Sequence, residues 1–523
     1  MIKIKDFIKN IPYLPLLYGI FPILFLFAHN ISELKYEMLW LPLFIVTFIV
    51  LVFTIILSIF VKDYIKSGLI LSLFFIVFLS YGNFKELLLS VGWLIDIGIV
   101  RDKYLYPLGI FSFISASYFI MRSKDLGAVY KFFRTAGFAL IAFSFVSIGF
   151  SAYSNSRSSV VFEDGAVQTG LNQDQNLPDI YYIVPDSYAR VDILKEVHNY
   201  DNSEFINFLK KKGFSVLSKN HSNYQNTVLS IPATMNMDYL DNLLPETIEK
   251  NDIANLIHNN RVQQFLKAQG YKIIQFDSGL GITSYNKYAD IRFNPSRLNN
   301  FSHRIIETSL LKYFVSKRQF FGFSINNEER KRILYSFEKL KEIPELDVGG
   351  PKFVFLHLFL PHPPFLFDRN GEEVNVEEAS ILTEEEYGRF WLDQLIFANK
   401  QLSLVVDEIL AKSKTEPIII IQSDHGYVFW MNDLSDRFFE LETFTTATRA
   451  SGKNFSALYL PGGKKTLLPD NLTNVNTFRF IFKNYFNADY DLLEDKIYKY
   501  YDYLLLKNHS DFKNIKQVPW GLL

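Results

Sequence analysis

The apolar positions of the first 153 residues fall in long unbroken runs, whereas those of the remainder fall in short ones. Runs at 11–28, 38–61, 104–121 and 135–153 each approach the ~20 residues with which an α-helix crosses a ~30 Å hydrocarbon layer. A shorter run at 67–81 extends back to Tyr64 and supplies a fifth span. The stretch 87–100 contains Gly92 and Asp96 and reads as interfacial or re-entrant rather than as a sixth. No small-residue cleavage site follows the first run and further spans do, so it is not a removable signal peptide. Residues 1–153 are therefore expected to form an α-helical membrane domain of about five spans.

The pattern then changes. Residues 154–178 are polar, rich in Ser, Asn, Gln and Asp, and without periodicity, which marks a linker. Short apolar runs follow at 180–184, 272–276, 353–359, 418–421 and 456–460, with helical patterns such as 202–212 and 385–411 between them. This alternation predicts an α/β domain over 179–490 with a mostly parallel central sheet. Chemistry in such a sheet gathers at the carboxyl ends of the strands. The tail, 491–523, includes a tyrosine-rich stretch at 498–503 and shows no pattern of its own.

Charge narrows the options. The net charge of −1 leaves no basic footprint, so no nucleic-acid partner is expected. The chain has no cysteine, which excludes disulfides, thiolate zinc sites and a cysteine nucleophile. With five spans, Lys3, Lys5, Lys9, Lys62, Lys66, Arg122, Lys124, Lys131 and Arg134 share one side of the membrane. Lys35, Lys85, Arg101 and Lys103 on the other side are balanced by Glu33, Glu37, Glu86, Asp96 and Asp102. The excess of positive charge then places the N-terminus in the cytoplasm and everything after Tyr153 outside. An even number of spans would reverse this.

Three predicted strands run into polar clusters. The first ends in Pro185-Asp186-Ser187, the strand at 353–359 carries His357 and leads to His362, and the strand at 418–421 ends in Ser423-Asp424-His425-Gly426. Carboxylate and imidazole side by side suit zinc or manganese, with magnesium a third candidate. Asp186 reads equally as a helix N-cap. The five-residue spacing of His357 and His362 across Pro361 is not that of a helical ligand pair, so the two histidines are given separate roles. Thr227 and Ser230 are candidate nucleophiles, each needing a base or a metal to activate its hydroxyl.

Taken in order, these segments resemble the alkaline phosphatase and sulfatase superfamily, and within it the lipoteichoic acid synthases and lipid A phosphoethanolamine transferases. The family's Gly-Glu-Thr-x-Arg-x-Asp is similar to the stretch from Pro185 to Asp192, with one extra residue and Asp186 in place of the glutamate. Its Thr-x-x-Ser-Val-Pro resembles Thr227 through Pro232, its His-x-x-Gly-x-His-Gly-Pro resembles His357 through Pro364, and its Ser-Asp-His-Gly is Ser423 through Gly426. The resemblance implies that Asp186, Thr227, Asp424 and His425 bind one divalent metal ion. It implies Thr227 as covalent nucleophile, with His362, and with it His357, serving the substrate phosphate. Two departures bear on this. After Gly426 comes Tyr427-Val428-Phe429-Trp430, with no histidine before His509, so a second metal is not expected. Thr234 stands where a sulfatase would need arginine, which argues against sulfate hydrolysis.

The implied activity is transfer of a phospho-alcohol, phosphoglycerol or phosphoethanolamine, from a membrane phospholipid donor to a cell-envelope glycan at the bacterial inner membrane, with the catalytic domain extracytoplasmic. The alternatives are a sulfatase-like hydrolase of sulfate or phosphate esters and a non-catalytic envelope protein.

Overall fold

The computed structural model of the chain describes residues 12–31, 34, 36–89, 100, 102–157, 177–244, 250–279, 281–295, 300–312, 315, 325–374, 376, 382–428, 449–499 and 516–518. Two compact units emerge, one of Met1–Val160 with Arg297–Ser324, the other of Val161–Ser296 with Ile325–Leu523.

The first unit is helical: α1 (Leu14–His29), α2 (Glu37–Val61), α3 (Tyr64–Leu89), α4 (Asp102–Arg122) and α5 (Gly127–Arg157). The last four of these are long and apolar enough to cross a membrane. The first predicted span corresponds to α1, which at 16 residues is shorter. Ile11, where that run was expected to begin, lies outside the described residues. Helix α1 is the innermost, with Leu14, Tyr18, Ile23, Leu24 and Phe27 buried, whereas α2, α4 and α5 turn Phe44, Phe60, Phe111, Phe119 and Phe150 outward. So much exposed aromatic surface suits acyl chains rather than water.

Two boundaries differ from expectation. Helix α3 continues to Leu89, into the stretch read as interfacial, because apolar Leu87–Leu89 extend it without a Gly or Pro; residues 90–99 lie outside the described set. Helix α5 runs on to Arg157, into the expected linker, because residues 154–157 contain no helix breaker. Residues 158–176 lie outside the described set.

A piece of chain from far beyond α5 completes this unit. The helix Asn300–Thr308 sets Phe301 and Ile305 among Ile23, Leu24, Phe27 and Leu39. The Phe301 ring meets Phe27 edge-on with centroids 5.4 Å apart. Arg304 Nη1 donates to Asn30 Oδ1 at 2.8 Å, and Leu310 N–H donates to Phe78 O at 2.9 Å. A Cβ at position 82 would lie 2.8 Å from Thr308 Cα, so this close approach requires Gly82. These contacts sit at the end of the bundle where α1 and α3 finish and α2 begins.

The second unit is built on a seven-stranded sheet in the order β2-β7-β6-β1-β5-β3-β4. The strands are β1 (Ile180–Pro185), β2 (Ser215–Val216), β3 (Lys272–Phe276), β4 (Ile291–Phe293), β5 (Lys352–Leu358), β6 (Ile418–Gln422) and β7 (Ser456–Tyr459). Five neighbours from β4 to β6 are parallel; at one edge β7 runs antiparallel to β6, and β2 pairs antiparallel to β7. This is the mostly parallel α/β sheet that the alternating runs predict. Central strands buried on both faces read as continuous apolar runs, and β1 is buried throughout.

On one face Tyr181, Ile183, Val354, Leu356, Ile419 and Ile421 pack with Phe337 and Trp391. On the other, Tyr182, Val184, Phe355 and Ile420 pack with Ile231, Phe478 and Phe482. The helices that carry these partners are α6 (Thr227–Asn236), α7 (Ile325–Glu342), α8 (Glu384–Lys412) and α9 (Asn474–Phe486). The described part of the tail packs on this unit: Ile497–Lys499 pairs with Lys516–Val518, and Tyr498 stacks on Tyr224 at 5.0 Å.

Candidate metal centre and nucleophile

Strands β1, β5 and β6 lie side by side, so their carboxyl ends deliver Asp186, His357 and Asp424-His425 to one place. The turn after β1 is sharp. Ser187 adopts φ +64°, a left-handed conformation that costs a non-glycine residue about 1 kcal/mol or more. In exchange its N–H reaches Asp424 Oδ1 at 3.2 Å and its hydroxyl donates to Gly426 O at 3.1 Å. Asp186 is not a helix N-cap; that position, before the next helix Val191–His198, belongs to Arg190.

The Asp424 carboxylate is divided between two tasks. Oδ1 accepts from Ser187 N–H and, at 2.9 Å, from His425 N–H, while Oδ2 accepts from the Thr227 hydroxyl at 2.6 Å. Its main chain is held from behind, where Ser222 Oγ, Ser230 Oγ and Asn474 Nδ2 surround the carbonyl oxygen at 2.5, 2.6 and 3.2 Å. Ser423 Oγ ties the two loops together, accepting from Tyr188 N–H at 2.8 Å and donating to His425 O at 2.6 Å. Gly426 has no room for a side chain, because a Cβ would stand 2.1 Å from Ala450 O and 2.5 Å from Lys453 O.

Thr227 is the first residue of α6. The Asn226 side chain caps that helix, accepting from Leu229 N–H at 3.0 Å, so the positive end of the helix dipole faces the Thr227 oxygen. Ser230, one turn on, directs its hydroxyl to the Asp424 carbonyl rather than to its carboxylate. Of the two candidate nucleophiles, only Thr227 meets the carboxylate.

The Asp186 carboxylate is fully buried, and among the described residues neither of its oxygens accepts a hydrogen bond of ordinary geometry. A buried carboxylate without donors is costly unless a positive charge compensates it. Asp186 Oδ1 stands 3.5 Å from His425 Nε2, and Asp424 Oδ2 stands 3.6 Å from the same nitrogen. His425 Nδ1 lies 2.8 Å from Gly426 O, which can only accept, so Nδ1 carries a proton. In the neutral ring Nε2 therefore offers its lone pair to the carboxylates. Two ligands of one tetrahedral zinc ion at ~2.0–2.1 Å are about 3.3 Å apart, close to these separations. Asp186, Asp424 and His425 thus form a buried oxygen and nitrogen set that fits a divalent cation.

Electrostatics agree with that arrangement. Burial alone would raise the Asp186 pKa, but the nearby His362 imidazole, hydrogen bonding from His357 and then the neighbouring His425 outweigh it and hold the carboxyl well below its usual range. Burial would lower the His425 pKa, but Asp424 and then Asp186 outweigh it and raise it.

His357 is buried on β5, with Nε2 3.4 Å from Asp186 Oδ2 and 4.0 Å from Asp424 Oδ2. His362 is half-buried in the following loop, with Nδ1 2.5 Å from Pro363 O. The loop is clamped by Gln394 of α8, whose Nε2 donates to Pro361 O and His362 O at 3.2 Å, and whose Oε1 accepts from Leu366 N–H at 2.7 Å. Asp186, Thr227, Ser230, His357, Asp424 and His425 therefore belong to one neighbourhood, and His362 is close enough to act electrostatically on Asp186. Sequence reasoning did not reach Ser222, Asn474 or Gln394, since nothing local distinguishes them from other polar residues of loops and helices. Phe429, Trp430 and His509, where departures from the family pattern fall, lie outside the described residues.

The fold and the site together define an α/β unit with a buried cation-type centre, joined to a bundle of apolar helices. No family model matches the chain, and no curated protein matches it in sequence. Among solved structures, it is similar to the integral membrane lipooligosaccharide phosphoethanolamine transferase A of Neisseria meningitidis, at 12% identity over 91% of this chain and 94% of that one, with a TM-score of 0.43. It is also similar to the C-terminal periplasmic domain of EptC from Escherichia coli, at 12% identity over 68% and 95% of the two chains, TM-score 0.42. The periplasmic domain of phosphoethanolamine transferase EptC from Campylobacter jejuni matches at 14% identity over 61% and 92%, TM-score 0.39. Likenesses of this degree assign no role to any residue.

Proposed function

We propose that this chain is a membrane-anchored transferase of the bacterial inner membrane. It moves a phospho-alcohol group, phosphoglycerol or phosphoethanolamine, from a phospholipid donor to a cell-envelope glycan through an intermediate on Thr227. The observation that carries this reading is the Thr227 hydroxyl at the N-terminus of α6, 2.6 Å from Asp424 Oδ2 and beside the cation-type set. The ordered motifs of the sequence support it. The apolar helices suit a donor presented at a bilayer, and the balance of Lys and Arg favours placing the second unit on the outer face.

Asp186, Asp424 and His425 would hold the divalent ion, with the Thr227 hydroxyl hydrogen-bonded to Asp424 Oδ2. When bound, such an ion favours the alkoxide form of a hydroxyl and offsets charge on phosphoryl oxygens. Asp424 orients the Thr227 hydroxyl and receives its hydrogen bond. Thr227 Oγ1 then forms a bond to phosphorus as the bond from phosphorus to the diacylglycerol oxygen breaks, and that oxygen leaves with a proton. His362, near enough to act electrostatically on Asp186, offsets charge on the equatorial oxygens. A glycan hydroxyl next attacks phosphorus, the bond to Oγ1 breaks, and Thr227 regains a proton.

The test follows a labelled headgroup from phospholipid in vesicles. The wild-type chain is expected to carry label on Thr227 and then on a glycan acceptor. Thr227→Ala is expected to lower transfer by at least about a thousandfold, as loss of a nucleophile does. Label that moves equally well in Thr227→Ala sinks the mechanism, and label released only into water makes the enzyme a hydrolase.

A further inference from the structure

Strand β3, the neighbour of β5 in the sheet, ends in a fourth polar cluster, Asp277-Ser278-Gly279, that no step above uses. We propose that Ser278 and Thr283 form a hydroxyl relay fixing the His357 ring so that its Nε2–H faces Asp186. Thr283 is thereby a positioning residue for a metal-binding carboxylate. The inference rests on the cation-site reading of Asp186.

The relay is built on a rigid turn. Gly279 has φ +82°, and a Cβ there would run into the Arg332 guanidinium. Asp277 Oδ1 accepts from Gly279 N–H at 2.9 Å and lies 3.8 Å from Arg332 Nε, with both side chains almost fully buried. The next helical turn, Gly281–Ser284, is held by Gln275 Nε2, which donates to Thr283 O at 2.8 Å. It brings Thr283, 1% exposed, to His357: Oγ1 lies 2.9 Å from Nδ1 and 2.8 Å from Ser278 Oγ.

The surroundings decide the direction of the relay. A lone pair on His357 Nε2 would face two carboxylate oxygens at 3.4 and 4.0 Å, which is repulsive, whereas an N–H there is attracted to both. The proton of the neutral ring therefore sits on Nε2, and Nδ1 accepts from Thr283 O–H. Thr283 Oγ1 in turn accepts from Ser278 O–H. Asp186 is shared in the same sense, Oδ2 toward His357 and Oδ1 toward His425. His357 lies outside the three-residue set whose ligand atoms are within 4.8 Å of one another. It orients a ligand and is not one. Outer partners of this kind tune metal affinity by about 10–100-fold.

The test is zinc affinity of the full-length chain in detergent, stripped of metal and titrated against a chelating dye. Thr283→Val keeps the side-chain shape but removes the hydroxyl, and is expected to weaken zinc binding by about 10–100-fold. Thr283→Ser is expected to restore it to within a few-fold. His357→Gln keeps an N–H donor without an imidazole lone pair, and is expected to retain one zinc ion with a loss in the same range. Thermal melting of each metal-free variant near the wild-type value shows that folding is not the cause. Unchanged affinity in Thr283→Val overturns the relay, as does complete loss of zinc in His357→Gln, the mark of a ligand. A wild-type chain that binds no zinc overturns the cation reading and the relay with it, whereas loss in Asp424→Asn without loss in Thr283→Val overturns the relay alone.

Discussion

In the proposed site a proton and a divalent cation would compete for the same nitrogen of His425. Its raised pKa means that, without metal, a charged ring stabilises the fold fully below the unfolded value of 6.5, and that this contribution is lost as pH rises through the folded value. Asp186 has the opposite sign: its lowered pKa contributes above the unfolded value of 3.8 and is lost only as pH falls through the folded one. Metal binding requires the neutral ring, so it must release a proton. The stabilisation produced by saturating zinc is expected to be larger at about pH 8 than at about pH 6, as read by thermal melting with and without metal. An increment independent of pH would mean that His425 is not a ligand. At this scale the sequence was legible where polar residues follow apolar strands, as Asp186 and Asp424 do. Residue chemistry alone did not separate Thr227 from Ser230, both hydroxyls one helical turn apart; only the motif order favoured Thr227, and the direction of each oxygen distinguishes them.

Among elements, the site depends on main chain being held rather than on side chains alone. Gly426→Ala would drive a methyl group into the Ala450 and Lys453 carbonyls and is expected to cost about 1–3 kcal/mol, with loss of metal. Asn474→Leu removes the donor that α9 presents to the Ser423 and Asp424 carbonyls at 3.0 and 3.2 Å. It is expected to cost about 1–3 kcal/mol and to weaken zinc binding although no ligand is touched; melting and metal titration read both variants. Central strands were legible because burial on both faces leaves an unbroken apolar run, as in Ile180–Pro185. The edge strands Ser215–Val216 and Ile291–Phe293 were not, being too short to show a period. Helix α8 announces its start through the capping box of Thr383 and Glu386, but nothing in its sequence marks Gln394 as the clamp of the His362 loop.

The whole molecule is organised with one departure from sequence order, the return of Arg297–Ser324 to the helical unit. Phe301 is fully buried against Phe27, so Phe301→Ala is expected to cost about 3 kcal/mol in that unit. Melting in detergent should show the loss, and zinc binding in the second unit should survive. Nothing in the residue pattern announces this return, because a nine-residue helix with two buried apolar positions looks like any surface helix of an α/β domain.

That return also counts membrane crossings. Residues 158–299 hold no apolar run of span length, so Arg304 must lie on the same side of a bilayer as the exit of α5. Arg304 grips Asn30 just past the exit of α1. The parity of the chain from that exit to α5 is then even, matching the four long helices, and α1 is left to decide the total. At 16 residues it spans about 24 Å, enough for a thinned bilayer, and with that crossing the sum becomes odd without reference to charge. The absence of cysteine makes the chain a blank background for labelling: Lys312→Cys and Lys5→Cys should react from opposite sides of sealed vesicles, and reaction from the same side would remove α1 from the count.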